Sequence, residues 1–218
     1  MVIWEDWTIT SKNYQKAYAF RFIGDKESQE NLLAIKSLKK QTDSLLKDQT
    51  ASLNENIRGL LSNSLRVSEK SAPEIYKSFL HCQNALGLED KQILPFIYNS
   101  HEVNAYCSYN GNEIVIGLSS QLIKLMATDE LIFVIGHELG HALYEHFRLP
   151  AFGLSQGSIS ASRSLQLMSW SRKAEISADR AGLICCNDIN AATSGFIKLS
   201  SGLGEPYISL DIDDFISQ

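Results

Sequence analysis

The sequence predicts an α+β fold in which helices outweigh a small mixed β-sheet. Three observations support this prediction. Apolar residues recur every three or four positions along residues 26–65, as on one face of an amphipathic helix. Residues 131–135 are continuously apolar, which indicates a buried central helix. Two strand-like runs, 103–109 and 112–118, flank Asn110-Gly111, the strongest short signal for a β-hairpin.

Residues 1–70 are predicted to form an N-terminal segment that packs on a core formed by residues 71–218, giving one compact unit. Thr8-Ile9-Thr10 indicates a short strand near the start of the segment. The apolar pattern over 26–65 predicts either one long helix or two shorter helices. Alternatively, these N-terminal helices act as an arm that binds a partner or covers the catalytic core.

The other predicted elements of the core are helices over 71–87, 121–126 and 164–186 and a strand over 93–97. Pro73 suits the first turn of its helix, where no backbone N–H is needed. Ser119 or Ser120 is expected to cap the helix that follows, because a hydroxyl oxygen can accept a hydrogen bond from a helix N-terminus.

The central helix is predicted to begin at Thr128, whose hydroxyl can act as its N-cap. Asp129 and Glu130 follow, and acidic side chains suit the positive end of the helix dipole. Pro150 closes the region beyond the helix.

Residues 137–141 of this helix read His-Glu-Leu-Gly-His. Helix positions i and i+4 share a face, so His137 and His141 can bind one zinc ion. Glu138 is rotated by about 100° from His137, which lets its carboxylate reach a zinc-bound water and take its proton. Gly140 indicates that a strand or a substrate passes close to the helix. The pattern predicts a hydrolytic site with one zinc ion per chain.

The third protein ligand is expected to be a carboxylate or a cysteine, since no histidine follows His146. Glu175 and Asp179 lie four residues apart and share a helix face. We expect Glu175 to bind zinc and Asp179 to accept the remaining N–H of a ligating histidine, which fixes its tautomer. The alternative is that both carboxylates belong to a solvated charged face.

These motifs together resemble the HtpX-like and CAAX-prenyl-endopeptidase family of zinc metallopeptidases over about residues 90–200. The resemblance rests on His137-Glu138-Leu139-Gly140-His141 and Glu175-Ile176-Ser177-Ala178-Asp179, and on the preceding runs Asn104-Ala105-Tyr106, Glu113-Ile114-Val115-Ile116 and Asp129-Glu130-Leu131. It implies a mostly helical zincin-type fold of the gluzincin group, with residues 71–218 as the catalytic domain. It also implies His137, His141 and Glu175 as ligands, Glu138 as general base and Asp179 as their supporting carboxylate.

The chain departs from this family in two respects. Many members carry transmembrane helices, and this sequence shows no segment of that kind. Some members have a histidine after the third ligand that steadies the oxyanion, and here Arg180, Tyr144 or His146 would have to serve instead. Peptide deformylases use an upstream cysteine as a ligand, but their signature is absent around Cys107, which we interpret as a small buried apolar residue.

Two segments beside the predicted site bear on access to it. The second hairpin strand, Glu113-Ile114-Val115-Ile116, is predicted to be the edge strand over the central helix, where an extended peptide can add as a further strand. An ordinary paired strand is the alternative. Residues 151–163 are small and polar, and we interpret them as a loop, with a flexible lid as the hypothesis.

Composition limits the possible partners and the compartment. The 218 residues carry a net charge of −5, which argues against a nucleic-acid partner. Residues 1–12 lack the pattern of a signal peptide, and the adjacent Cys185 and Cys186 do not indicate a disulfide framework. A cytoplasmic location is expected, on the assumption that no leader has been removed. No particular oligomeric state is predicted.

The sequence therefore predicts a zinc metalloendopeptidase that acts on proteins or peptides. A zinc-stabilised module that binds peptides without cleaving them is the alternative. Glu138 favours the enzyme, because a purely structural zinc site needs no base and usually fills all four positions. A latent enzyme, covered by the N-terminal helices or by residues 151–163, is an intermediate hypothesis.

Overall fold

The computed structural model describes residues 12–109, 113–150, 154 and 159–208. Its α-helices are α1 (Lys12–Ala19), α2 (Ile23–Leu33), α3 (Lys36–Asn63), α4 (Pro73–Ala85), α5 (Ser120–Leu125), α6 (Thr128–Leu143), α7 (Ala161–Cys186) and α8 (Ile189–Ser201). The strands are β1 (Ser64–Arg66), β2 (Gln92–Tyr98), β3 (Ala105–Tyr109) and β4 (Glu113–Ser119). A 3-10 turn, His146–Arg148, follows α6. The predicted α+β fold, mostly helical with a small mixed sheet, is confirmed.

The strands form one four-stranded sheet in the order β1-β2-β4-β3. β4 pairs parallel with β2 and antiparallel with β3, so it lies inside the sheet. The prediction that Glu113–Ile116 is the edge strand is therefore wrong, and among the described strands β3 lies at this edge of the sheet. The reason is burial: Ile114, Val115 and Ile116 form a continuous apolar run, as expected for a strand enclosed by neighbours. The turn residues Asn110 and Gly111 lie outside the described residues.

Helix α6 is the centre of the fold. Leu131, Phe133 and Leu139 are among its buried side chains, as predicted from the apolar run. The predicted cap at Thr128 is not observed, because the helix begins at that residue. Instead, the Glu130 carboxylate accepts a hydrogen bond of 2.7 Å from the backbone N–H of Ala127.

The same Glu130 carboxylate ties α6 to α8. Lys198 Nζ lies 2.7 Å from Glu130 Oε2, and the Ser194 hydroxyl donates to Oε1. Both Glu130 and Ser194 are buried, so this pair anchors the start of the helix inside the protein.

Helix α7 packs closely along α6 because glycines line the contact. A Cβ placed on Gly140 would lie 2.7 Å from Cβ of Ala181, and one placed on Gly136 would lie 2.7 Å from Sγ of Cys185. Distances this short mean that any side chain at these two positions would force the neighbouring atoms to move. The strand or substrate expected near Gly140 is therefore helix α7.

The apolar pattern of residues 26–65 corresponds to two helices, α2 and α3, which are separated at Ala34 and Ile35. Helix α1 and the short strand β1 were not predicted. Tyr14 and Ala17 of α1 join the main core, and Leu32 of α2 packs in a second cluster with Trp170 of α7. The predicted strand at residues 8–10 lies outside the described residues.

The other predicted elements are confirmed with small changes of boundary. Pro73 opens α4, and the Ser119 hydroxyl caps α5 by accepting from the N–H of Leu122 at 3.1 Å. Among the described helices, none is long and apolar enough to cross a membrane.

Candidate metal centre

Three side chains from α6 and α7 converge on one point. Nε2 of His137 lies 3.2 Å from Nε2 of His141, and these two atoms lie 3.4 and 3.8 Å from Oε2 of Glu175. Tetrahedral zinc with bonds of about 2.0–2.1 Å holds its ligand atoms about 3.3–3.4 Å apart. Two nitrogens and one carboxylate oxygen at these separations fit a catalytic zinc site, which leaves one position for water.

Asp179 lies behind the first of these histidines. Its Oδ1 is 2.9 Å from Nδ1 of His137, so the carboxylate can accept that N–H and direct Nε2 toward Glu175. Burial by itself would lower the pKa of His137, but the hydrogen bonds to Asp179 and Glu175 outweigh it and raise that pKa to about 10. A proton and a metal ion therefore compete for the same Nε2 atom.

A second chain of contacts begins at His141. Its Nδ1 lies 2.8 Å from Nδ1 of His146, and Nε2 of His146 lies 3.1 Å from Oδ2 of Asp25. Asp25 belongs to α2 and is completely buried. Burial opposes ionisation of Asp25, but hydrogen bonds from His146 and Arg21 prevail and hold its pKa well below the ordinary range.

Sequence reasoning did not identify Asp25 as a site residue. The local signal was the spacing of Arg21, Asp25 and Gln29, three polar residues that recur every four positions from just before α2 into that helix. Such spacing is also typical of an exposed ion pair, so it does not by itself indicate a buried site residue.

The candidate ligands open into a cleft of about 560 Å³. The edge strand β3 lines one side of it, and Trp170, Ala174 and Glu175 of α7 contribute to the lining. Glu138 also lies in this cleft. Burial raises the pKa of Glu138 to about 7, while nearby His137 lowers it and Glu175 raises it. A carboxylate with such a pKa can both accept and return a proton near neutral pH.

The candidates for oxyanion support are placed away from the cleft or are already engaged. Tyr144 is fully buried, and its hydroxyl donates to the carbonyl of Ala17 at 3.0 Å. Arg180 donates to the carbonyl of Phe20 at 3.2 Å, and neither Arg180 nor Tyr144 lines the cleft. His146 reaches the cleft, but both of its ring nitrogens have the partners described above. Of the three candidates, only His146 lines the cleft, and oxyanion support by any of them stays a prediction.

Cys107 of β3 also lines the cleft. Burial raises the pKa of its thiol well above the ordinary value, with a smaller contribution from Glu138. Because zinc binds the thiolate, this environment disfavours Cys107 as a ligand and agrees with its interpretation as an apolar residue.

Comparisons with known proteins show that the segment containing His137–His141 is similar to a peptidase family. Residues 69–159 match the family model described as peptidase family M48. A similar curated protein is the plastoglobule-localized metallopeptidase 48, chloroplastic, of Arabidopsis thaliana, 29% identical over 216 aligned residues. The alignment covers 91% of this chain and 60% of that protein, so the chain spans about 60% of the relative's length. No solved structure matches the chain.

The family match contains His137, Glu138 and His141 and ends before Glu175. It supports the resemblance to metallopeptidases at the level of family M48, while the HtpX-like and CAAX-prenyl-endopeptidase assignment stays a prediction. The relative's name places that protein in the chloroplast, and the cytoplasmic location predicted for this chain also stays a prediction.

Proposed function

We propose that this chain is a zinc-dependent endopeptidase that hydrolyses peptide bonds in proteins or peptides. The observation that carries the proposal is the convergence of His137, His141 and Glu175 within 3.8 Å of one another, with Glu138 in the same cleft. The match to peptidase family M48 supports a metallopeptidase.

In this proposal His137, His141 and Glu175 hold one zinc ion. Bound zinc would polarise the scissile carbonyl and make the attacking water more acidic. Glu138 accepts the proton of that water on its carboxylate and then delivers it to the nitrogen of the leaving amine. Asp179 holds His137 in the tautomer whose Nε2 is free to bind.

We place the substrate on β3, in place of the internal strand Glu113–Ile116. The N–H of Ser119 donates to the carbonyl of Asn104 at 3.0 Å, and the N–H of Asn104 donates to the Ser119 hydroxyl at 3.1 Å, so the backbone of Asn104 faces β4. Antiparallel pairs alternate, so the backbone groups of Ala105 and Cys107 turn away from β4, on the side of β3 that lines the cleft. An extended peptide can bind there as an additional strand.

The direct test is turnover of casein or of a fluorogenic peptide by the purified chain. We expect cleavage that a chelator abolishes and added zinc restores. Peptides that bind without being cut by the zinc-loaded protein would instead support the non-catalytic binding module. Glu138 in the cleft favours the enzyme over that module.

Metal analysis of wild type beside Glu175→Ala tests the ligand set. We expect about one zinc ion per wild-type chain and loss of tight binding in the variant, since a catalytic zinc site has three protein ligands. Zinc retained by the variant with wild-type affinity would refute Glu175 as the third ligand.

The position of the substrate is tested separately on β3. Cys107→Pro removes an N–H that faces the cleft, whereas Cys107→Val keeps it and preserves an apolar strand residue. We expect the proline variant to raise KM about 2–10-fold, as for the loss of one backbone hydrogen bond, with zinc affinity unchanged. Equal KM values for the two variants would argue against β3.

A further inference from the structure

We infer that Asp25, acting through His146, is a positioning residue for the metal centre: together they keep the proton of His141 on Nδ1 and leave Nε2 of His141 free for the metal. This inference rests on the zinc ligands of the proposed function. It adds an element, helix α2, that lies outside the residues matched by the family model.

The first step is the direction of the hydrogen bonds. An ionised carboxylate only accepts, so the 3.1 Å contact with Asp25 requires a proton on Nε2 of His146. A neutral His146 then presents a lone pair at Nδ1. The 2.8 Å contact between Nδ1 of His146 and Nδ1 of His141 consequently requires the proton of His141 to sit on Nδ1. That tautomer is the one whose Nε2 can bind zinc.

The second step is the fixed charge of Asp25. Its carboxylate is fully buried and accepts from Arg21 at 2.7 and 3.1 Å. It also accepts from the indole N–H of Trp170 at 2.9 Å and from the hydroxyl of Ser177 at 2.7 Å. All of these partners are donors, so they hold the carboxylate in its ionised, accepting form. Trp170 and Ser177 belong to α7, the helix that carries Glu175.

The third step is the backbone beneath His146. Glu145 precedes it in the left-handed conformation with φ of 54°, which non-glycine residues rarely adopt. The amide of Gln29 donates to the carbonyl of Glu145 at 3.0 Å, and Arg21 donates to the Gln29 carbonyl oxygen at 2.8 Å. Helix α2 therefore holds both the backbone turn that presents His146 and the side-chain carboxylate that orients its ring.

A pair of substitutions at His146 tests the inference. His146→Phe keeps a planar ring of similar size but removes both nitrogens. His146→Gln keeps one acceptor for His141 and one donor for Asp25. We expect the phenylalanine variant to weaken zinc binding about 10–100-fold, as measured by competition with a chromophoric chelator. We expect the glutamine variant to recover most of this loss, and equal zinc affinities for wild type and His146→Phe would overturn the inference.

Nitrogen NMR of the histidine side chains supplies a readout independent of activity. In the zinc-loaded wild type we expect His141 to carry its proton on Nδ1 and His146 to carry its proton on Nε2. A neutral His146 protonated on Nδ1 instead would contradict the proposed hydrogen-bond order, whatever the zinc affinity.

A control separates positioning from general loss of stability. Glu130→Gln alters another buried carboxylate, at the opposite end of α6 from His141. We expect this variant to melt at a lower temperature while binding zinc as tightly as wild type. A loss of zinc affinity in Glu130→Gln equal to that in His146→Phe would mean that destabilisation alone explains the effect, and the positioning role would be refuted.

The same measurements distinguish this inference from the proposed function. A wild-type chain that binds no zinc would remove the metal site itself, and the inference would fail with it. A wild-type chain that binds zinc and cleaves peptides, beside a His146→Phe variant with unchanged affinity, would refute only the role of Asp25 and His146.

Discussion

Nδ1 of His137 lies 2.9 Å from Oδ1 of Asp179, one helical turn beyond Glu175 on the same helix. One face of α7 thus supplies a candidate ligand and the carboxylate that orients another ligand. The two carboxylates engage opposite nitrogens of a single imidazole, since Glu175 faces Nε2 of His137.

Replacing Asp179 by alanine removes the acceptor for that Nδ1–H. We expect Asp179→Ala to weaken zinc binding about 10–100-fold, because His137 loses the partner that fixes its tautomer. Competition with a chelator measures the change. Asp129→Ala, an exposed carboxylate at the start of α6, is the matched control and should bind zinc as wild type does. An unchanged affinity in Asp179→Ala would show that the contact has no part in metal binding.

Replacing Glu138 by glutamine keeps the size of the side chain but removes its capacity to accept a proton. We expect Glu138→Gln to bind zinc as wild type does and to lose about 10²–10⁴-fold in kcat, the usual range for a general base. Metal content and peptide turnover are measured on the same preparation. Full activity in this variant would exclude Glu138 as the base.

Replacing a glycine by alanine should have opposite effects on stability at Gly140, in the contact between α6 and α7, and at Gly59 of α3. Gly140→Ala would force a Cβ to within 2.7 Å of Ala181, and we expect a loss of about 1–3 kcal/mol in the free energy of unfolding. Gly59 is an exposed position of α3 with nothing within 4 Å of a Cβ placed there, and we expect Gly59→Ala to gain up to about 1 kcal/mol from helix propensity. Denaturant unfolding compares the two, and a neutral Gly140→Ala would mean that the helices separate at little cost.

Because the pKa of Asp25 is lowered in the folded protein, the free energy of unfolding should depend on pH. Its pKa in the folded protein lies below the ordinary value of 3.8, so its stabilising effect is complete above that value and is lost as the pH falls further. We expect Asp25→Asn to lower the free energy of unfolding by about 3–5 kcal/mol near neutral pH, because buried Arg21 loses its partner. The difference in melting temperature between the two zinc-free proteins should begin to shrink below about pH 4 and should go on shrinking as the pH falls toward the lower pKa of the folded state. A difference that is the same at about pH 5 and at about pH 3 would contradict this account.

The helices and the grouping of the candidate ligands could be predicted because their signals are local. His137 and His141 share a helix face by spacing alone, as do Glu175 and Asp179, and capping by Ser119 follows from its place before α5. Such relationships are set by backbone geometry within a few residues. A structure is not needed to see them.

The edge of the sheet and the role of Asp25 could not be predicted in this way. The parallel pairing of β2 with β4 joins strands that are not consecutive, so a hairpin pattern leaves the edge undecided. Asp25 meets His146 across 121 positions of sequence, and only the docking of α2 brings them together. The hydroxyl of Tyr144 is engaged by Ala17 for the same reason.

The ion pair between Glu130 and Lys198 bears on which fragment of the chain can fold and bind zinc by itself. A fragment limited to residues 69–159 would contain both candidate histidines but would lack Asp25, Glu175 and the α8 lysine that holds the start of α6. The contacts described above extend from Tyr14 of α1 to Lys198 of α8. A fragment that lacks α2, α7 or α8 should accordingly bind zinc more weakly than the whole chain.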